Sequence, residues 1–183
     1  MGAAWGVLSG KEKIMVNTSE ANYPTSLPLP ALIVDTREKT PLEFQHLEVE
    51  HGTLTTGDYS IKGFTNSFMV ERKSMADLVG SLTQGRERFF RELERMRGAK
   101  FARLLIIGTK GEFDEVMRFR RVNEESIVGS LAWINANLVP VARAASTYKA
   151  AQMVERWACY FYAGAARPFG RVSIPAWCRE GVI

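Results

Sequence analysis

The hydrophobic period of residues 67–82 changes at Lys73, and this change constrains the fold more than any other feature of the chain. Residues 67–70, Ser67-Phe68-Met69-Val70, have the pattern of a buried strand. From Ser74 onward, apolar side chains recur at helical spacing, and Ser74 is placed to cap the helix. The sequence therefore predicts a strand that passes directly into a helix, with three consecutive charged residues, Glu71-Arg72-Lys73, at the junction.

Similar patterns divide the rest of the chain into strands and helices. Three further apolar runs predict strands: 31–34, 104–108 and 139–142. The last is expected at a sheet edge, because Pro140 removes a backbone donor. A turn cluster between residues 59–62 and the strand from residue 68 predicts a hairpin. Helical spacing predicts four more helices: 86–97, 112–119, 124–137 and 148–166. Strands alternating with helices, together with an antiparallel hairpin, indicate a three-layer α/β fold with a central mixed sheet.

Length and composition predict one folded domain with short tails. The chain has 183 residues, of which 46% are apolar, and this is sufficient for a full core. A proline-rich stretch ends at residue 30. We therefore place an N-terminal tail at residues 1–29, a single domain at 30–166 and a C-terminal tail at 167–183. Met15 is an alternative natural start.

The chain shows no signal for a membrane or for secretion. No apolar run approaches the roughly 20 residues that span a bilayer, and the N-terminal segment does not fit a secretory signal. Cys159 and Cys178 lack zinc-ligand spacing, and helix packing explains Cys159 better than a disulfide does. We expect reduced thiols and a location in the cytoplasm of a prokaryotic or phage-infected cell, or in the nucleus of a eukaryotic one.

Positive charge is concentrated in the middle of the chain. The formal net charge is +4, but residues 58–122 carry 14 Lys and Arg against nine Asp and Glu. Phosphate contacts from such side chains supply most of the sequence-independent affinity for nucleic acid. A polyanionic substrate fits this excess, and so does a basic, solvated surface. The arginines of the helix at 86–97 alternate with glutamates, so a salt-bridged face explains them at least as well as contact with DNA.

The predicted hairpin brings two acids and a lysine close together. Glu71 and Lys73 share a face of their strand, because side chains alternate. If Ile61 pairs with Phe68, antiparallel register places Asp58 opposite Glu71, with β-carbons about 5 Å apart. Carboxylates are suitable ligands for Mg²⁺, which neutralises charge and activates water in phosphodiester hydrolysis. Asp58 and Glu71 are therefore candidate metal ligands. Lys73 is a candidate to orient the attacking water or to stabilise the developing charge, or it forms an ordinary ion pair with Glu71.

Nearby charged residues each have two interpretations. Asp35 and Glu38 leave the first predicted strand and are candidates for binding a second metal or for supporting the ligands of the first. Arg72 alternates onto the opposite face, where it pairs with an acid or grips phosphate. Asp77 either acts at the site or completes a helix cap with Ser74.

These residues also match an ordered series of motifs. In chain order the motifs are Val34-Asp35-Thr36-Arg37-Glu38, Gly57-Asp58-Tyr59, Val70-Glu71-Arg72-Lys73-Ser74-Met75-Ala76-Asp77-Leu78, Ser81-Leu82 and Gly85-Arg86. The series resembles the nuclease domain of the XPF and Hef structure-selective endonucleases, a branch of the PD-(D/E)xK nuclease superfamily. The similarity covers roughly residues 32–145, and the whole series is far more specific than an isolated Glu-Arg-Lys.

The resemblance implies a restriction-endonuclease-like fold and a Mg²⁺- or Mn²⁺-dependent endonuclease that nicks branched DNA, such as flaps, forks or junctions, in repair or recombination. By matching position it implies six catalytic residues: Asp35, Asp58, Glu71, Arg72, Lys73 and Asp77. Of these, the expected metal ligands are Asp58, Glu71 and Asp35. We predict DNA contacts by Arg37, Arg86 and Arg88.

The chain also departs from that family. Its members usually carry a C-terminal tandem helix-hairpin-helix domain for DNA binding and dimerisation, whereas a short Arg-rich tail follows the last helix predicted here. We therefore expect a homodimer or a partner protein to contribute branch selectivity, with the apolar helices after residue 124 as a dimer surface or as core. The alternative function is a non-catalytic DNA-binding or scaffold subunit of a nuclease complex. A restriction or recombination enzyme of the same superfamily is a closer rival.

Overall fold

The computed structural model describes residues 27–179, and these residues contain six strands and six helices. The strands are β1 (Leu32–Asp35), β2 (Val49–Gly52), β3 (Tyr59–Ile61), β4 (Phe68–Ser74), β5 (Phe101–Ile107) and β6 (Val141–Ala144). The helices are α1 (Met75–Leu82), α2 (Arg86–Met96), α3 (Lys110–Arg120), α4 (Glu124–Asn137), α5 (Thr147–Ala166) and α6 (Ala176–Arg179). Most of the predicted N-terminal tail, including Met15, lies outside the described residues.

The six strands form one mixed sheet with the order β2-β1-β3-β4-β5-β6. β3 runs antiparallel to β1 and to β4, and the other neighbours are parallel. β1 and β4 therefore run in the same direction on either side of β3. Their C-terminal ends lie at one edge of the sheet, as the sequence predicted for the polar residues that follow them.

Helices cover both faces of the sheet, which confirms the predicted three-layer α/β fold. Val34 and Val70 belong to the core cluster that contains Val154 and Ala158 of α5. Met69 belongs to the opposite cluster, which is formed with buried side chains of α1, α2, α3 and α4. Adjacent residues of β4 thus enter different cores, because strand side chains alternate.

The predicted strands and helices are present, and β6 forms a sheet edge, as expected. It begins two residues later than predicted, at Val141, because Pro140 precedes the paired residues. Two elements were not predicted. β2 has exposed side chains from Val49 to His51 and no apolar run, and it is held by backbone pairing with β1. α6 has only four residues, which is too short for a recognisable helical period.

The segment after α5 packs against the domain. Trp177 stacks on His46 with 4.2 Å between ring centres, and Val172 forms an isolated bridge with Leu27. Cys159 and Cys178 are both buried and free in this structure, and reduced thiols stay a prediction. Burial raises the pKa of Cys159 to about 12. No helix within residues 27–179 has the length and apolarity needed to cross a membrane.

Candidate active site

Four of the predicted site residues lie on the face of the sheet that α1 to α4 cover. Each alternates with strand residues that belong to the opposite core, such as Val34, Tyr59 and Val70. The four residues are Asp35, Asp58, Glu71 and Lys73. The two-residue period of three neighbouring strands thus places acids and a lysine on one side of the sheet.

The hairpin register places Asp58 beside the end of β4. Tyr59 lies opposite Val70, which is the register expected from pairing Ile61 with Phe68. The backbone N–H of Asp58 donates to the Val70 carbonyl at 2.8 Å, and the Arg72 N–H donates to Asp58 Oδ2 at 2.7 Å. Gly57 precedes Asp58 with φ of 83°, and a Cβ there would lie 3.1 Å from the Val70 carbonyl oxygen. This close approach requires glycine.

The pKa values of Asp58 and Glu71 both lie above the ordinary carboxyl range. Burial is the main cause for Asp58, opposed by the Arg72 N–H and by the positive charge of Lys73. Burial is also the main cause for Glu71, followed by the negative charge of Asp58. Glu71 is only 2% exposed. The negative charge of Asp58 therefore adds to the cost of ionising Glu71 in a poorly solvated site.

Lys73 supplies a positive charge to this acidic pair. Its Nζ donates to Glu71 Oε1 at 2.5 Å and lies 5.5 Å from the ring centre of Phe89 on α2. Burial lowers the pKa of Lys73, but the charges and hydrogen bond of the acids outweigh burial, so its pKa is raised overall. Lys73 is therefore an ammonium group, which acts as a donor and a cation and not as a general base. The ion pair with Glu71 allowed by the sequence is present.

Asp35 is buried, and both of its carboxylate oxygens are already hydrogen-bonded. Arg37 Nε donates to Oδ1 at 2.8 Å and Arg37 Nη2 to Oδ2 at 2.9 Å. The Leu54 N–H also donates to Oδ2, at 2.7 Å. These bonds lower the pKa of Asp35 to about 2, and the bond from the Arg37 side chain is the largest cause. A metal on Asp35 would have to compete with Arg37, so its role as a ligand stays a prediction.

Arg72 points to the opposite face, as alternation predicted, and pairs with an acid there. Its Nη2 lies 3.0 Å from Glu38 Oε1 and donates to Thr40 Oγ1 at 2.8 Å. The pair joins the end of β4 to the segment that follows β1. These contacts with Glu38 and Thr40 fix the orientation of the Arg72 side chain.

Asp77 takes part in the cap of α1. Its N–H donates to Ser74 Oγ at 3.1 Å, and Ser74 Oγ donates to Asp77 Oδ2 at 2.7 Å. The Ser-x-x-Asp arrangement allowed by the sequence is therefore formed. Asp77 also lines a cleft that Lys73 enters, so the cap does not remove it from the site.

The three predicted DNA-binding arginines have different surroundings. Arg37 is 67% exposed while Asp35 fixes its orientation. Arg86 donates to Ser130 Oγ at 2.8 Å and lies over the ring of Phe90 at 4.4 Å, so it ties α2 to α4. Arg88 is exposed and lines the same cleft as Lys73.

The path of α2 across the site is fixed at two points. Phe89 contacts Lys73 as described above, and Arg95 Nε donates to Thr56 Oγ1 at 3.3 Å. Thr56 lies in the loop that leads to Asp58. Residues three apart on a helix are neighbours on its surface. The residue midway between these two contacts therefore faces the acidic pair.

That residue is Glu92, which the sequence did not identify as a site residue. Its negative charge contributes to the raised pKa values of Asp58 and Glu71. Glu92 is three residues after Phe89 and four before Met96, both buried, so its spacing places it at the border of the inward face. In the sequence, arginines and glutamates alternate along α2, so Glu92 could not be distinguished from the acids of a solvated, salt-bridged face.

Asp58 and Glu71 fit a hard divalent cation. Glu71 is buried, Asp58 is partly buried, and the two come from adjacent strands. The charge of Asp58 disfavours ionisation of Glu71, and Mg²⁺ in proteins usually takes one or two carboxylates and keeps several waters. Within residues 27–179, no group of three or more His, Cys, Asp or Glu side chains is arranged to hold a metal. A metal held here would therefore have a pair of carboxylates as protein ligands, supplemented by solvent or by substrate oxygens.

Comparisons with known proteins agree with this fold and identify a matching family. The model of the ERCC4 domain family matches residues 34–156. XPF from Aeropyrum pernix has a similar structure, with a TM-score of 0.57 and 23% identity over 69% of this chain and 64% of that one. A second structure, XPF from Aeropyrum pernix in complex with DNA, has a TM-score of 0.57 and 22% identity over 76% and 66%. The chain thus spans slightly less than two thirds of each. No curated protein sequence matches significantly.

Proposed function

The chain belongs to the ERCC4 domain family, and on that premise we propose that it is a divalent-metal-dependent DNA endonuclease. One observation carries this proposal: the buried carboxylate of Glu71 and the partly buried carboxylate of Asp58 lie on facing strands beside a lysine ammonium, with Lys73 Nζ 2.5 Å from Glu71 Oε1. Ionising both acids is unfavourable without a cation between them. A structural ion pair would need only one acid for its lysine.

Asp58 and Glu71 would hold Mg²⁺ or Mn²⁺, which when bound supplies charge neutralisation and an activated water. Lys73 keeps its proton and donates a hydrogen bond toward the phosphate, where it stabilises negative charge that develops in the transition state. The ring of Phe89 limits the positions of the ammonium. Asp35 serves a second metal or supports the site through Arg37, which is exposed and preoriented to contact DNA.

Branched DNA is the substrate that we propose, by the resemblance to XPF and Hef endonucleases. The solved structure of a related XPF in complex with DNA supports DNA as the ligand. A homodimer or a partner protein would complete the recognition of a branch. Exposed apolar side chains on α4, Val128 and Trp133, are candidates for that contact.

The alternative is a non-catalytic DNA-binding subunit. Such a subunit has no need for two poorly solvated acids beside a lysine, so the presence of Asp58, Glu71 and Lys73 favours the enzyme. The two functions differ in one measurable property, because both bind DNA and only the enzyme cuts it.

The test is cleavage of labelled fork, flap, junction and linear duplex DNA by the purified chain in Mg²⁺, Mn²⁺ or EDTA. Glu71→Ala and Lys73→Ala should each remove activity. Glu50→Ala and Lys62→Ala are matched controls, because Glu50 and Lys62 form an exposed acid–lysine pair at 2.6 Å on the same sheet. DNA binding without metal-dependent cleavage by the parent would support the non-catalytic subunit, and unchanged cleavage by Glu71→Ala would refute the site.

A further inference from the structure

A cleft of about 710 Å³ extends from Lys73 along the surface between α1 and α2. Residues of α1 and α2 line its sides, and Arg120 at the end of α3 closes it from a third direction. Lys73 belongs both to the cleft and to the acidic site. The cleft therefore begins beside the acidic site.

The cleft is rich in positive charge that the protein itself does not neutralise. Arg88 and Arg120 are exposed, and within residues 27–179 neither forms an ion pair or a side-chain hydrogen bond. The third arginine, Arg91, pairs with Glu87 at 2.6 Å. Asp77, the other acid in the lining, is engaged by the hydroxyl of Ser74. Two guanidinium groups thus remain available to an anionic ligand.

The shape and lining identify the class of ligand. No aromatic side chain is among the residues that line the cleft, so bases have no ring on which to stack. The free guanidinium groups come from separate helices, Arg88 from α2 and Arg120 from the end of α3. Arginines spread along an open cleft suit successive phosphates of a nucleic-acid backbone.

Gly80 keeps this cleft open. It lies in the middle of α1 and lines the cleft, and a Cβ built on it would meet no atom within 4 Å. A larger side chain at this position therefore extends into the cleft without displacing the core. Glycine weakens a helix interior, so replacing it does not threaten the fold of α1.

We propose that this cleft, the arginine groove, holds the DNA backbone on one side of the cleaved bond. Arg88 and Arg120 contact phosphates of the strand whose scissile phosphate lies at Lys73, and Gly80 provides the space for that strand. The contacts are independent of base sequence. This inference rests on the proposed function and specifies how the same site takes its substrate.

The first test measures the dissociation constant for a labelled DNA fork by fluorescence anisotropy in EDTA, between 50 and 200 mM salt. Each phosphate contact contributes about 0.9 to the logarithmic salt slope. The parent loses affinity as the salt concentration rises over this range. In Arg88→Gln and in Arg120→Gln, that loss should be about 3.5-fold smaller. Arg118→Gln is the matched control, since Arg118 is exposed on α3 and is not part of the groove lining.

The second test blocks the groove directly. Gly80→Glu should weaken DNA binding more than Gly80→Gln, because both fill the space and only the first adds negative charge. Circular dichroism melting checks that each variant is folded. If the parent binds DNA and all groove variants retain its affinity and salt slope, the arginine groove is refuted and the proposed function stands. If the parent itself neither binds nor cuts DNA, the proposed function fails as well.

Discussion

Lys73 Nζ lies 2.5 Å from Glu71 Oε1, and Glu71 is 2% exposed. The short contact joins a cation to a carboxylate whose pKa is raised by burial and by the neighbouring Asp58. Since the ammonium is held in place before any substrate arrives, little reorganisation is needed when charge develops on a phosphate.

Replacing Lys73 by alanine should lower kcat by about 100-fold or more, the usual effect of removing one preorganised donor. Lys73→Arg should restore part of the rate, because it keeps the charge but changes the donor geometry. Single-turnover cleavage at saturating metal measures both. Equal rates for Lys73→Ala and the parent would exclude electrostatic catalysis by this residue.

Asp58→Asn should stabilise the metal-free protein at pH 8 by about 1 to 3 kcal/mol. The folded protein binds the Asp58 proton more tightly than the unfolded chain does, because burial raises the carboxyl pKa. Ionisation therefore costs stability as pH rises from about 4 through the raised pKa, and asparagine avoids this cost. Urea unfolding between pH 4 and 8 measures the difference, which should shrink toward pH 4.

Added Mg²⁺ should reverse this order of stability. The cation binds the folded parent and raises its free energy of unfolding, whereas Asp58→Asn lacks one carboxylate ligand. The melting temperature of each protein is measured with and without Mg²⁺. An equal rise in both would show that the metal binds elsewhere.

Glu92→Gln should move the acid limb of the pH–rate profile to lower pH. The negative charge of Glu92 helps to raise the pKa values of Asp58 and Glu71, so its removal lets them ionise at lower pH. Glu94→Gln is the matched control, since Glu94 is exposed on the same helix and contributes to neither pKa shift. A shift of the same size in both variants would mean that net charge alone is responsible.

Asp35→Asn distinguishes the two roles considered for Asp35. Because the carboxylate binds the Arg37 guanidinium through two oxygens, we expect weaker DNA binding and nearly unchanged Mn²⁺ affinity, measured by calorimetry. Arg37→Gln should give the same DNA-binding defect. Loss of Mn²⁺ affinity in Asp35→Asn alone would instead identify Asp35 as a metal ligand.

Much of this site could be predicted from the sequence because its geometry is local. The Asp58–Glu71 juxtaposition follows from one hairpin, in which the two-residue period and the pairing register decide which side chains share a face. The cap at Ser74 depends on three residues of separation. β2 was not predicted, and the reason is also local: its exposed side chains carry no apolar pattern.

The sequence by itself determined the strand and helix pattern and placed Asp58, Glu71 and Lys73 on one face. Only the tertiary structure decided that Glu92 comes near enough to raise the pKa values of the acids, that Arg37 occupies the oxygens of Asp35, and that Arg120 reaches the cleft beside Lys73. The physical reason is that helix packing depends on complementary side-chain shapes from distant parts of the chain, and no local period records which surfaces will meet.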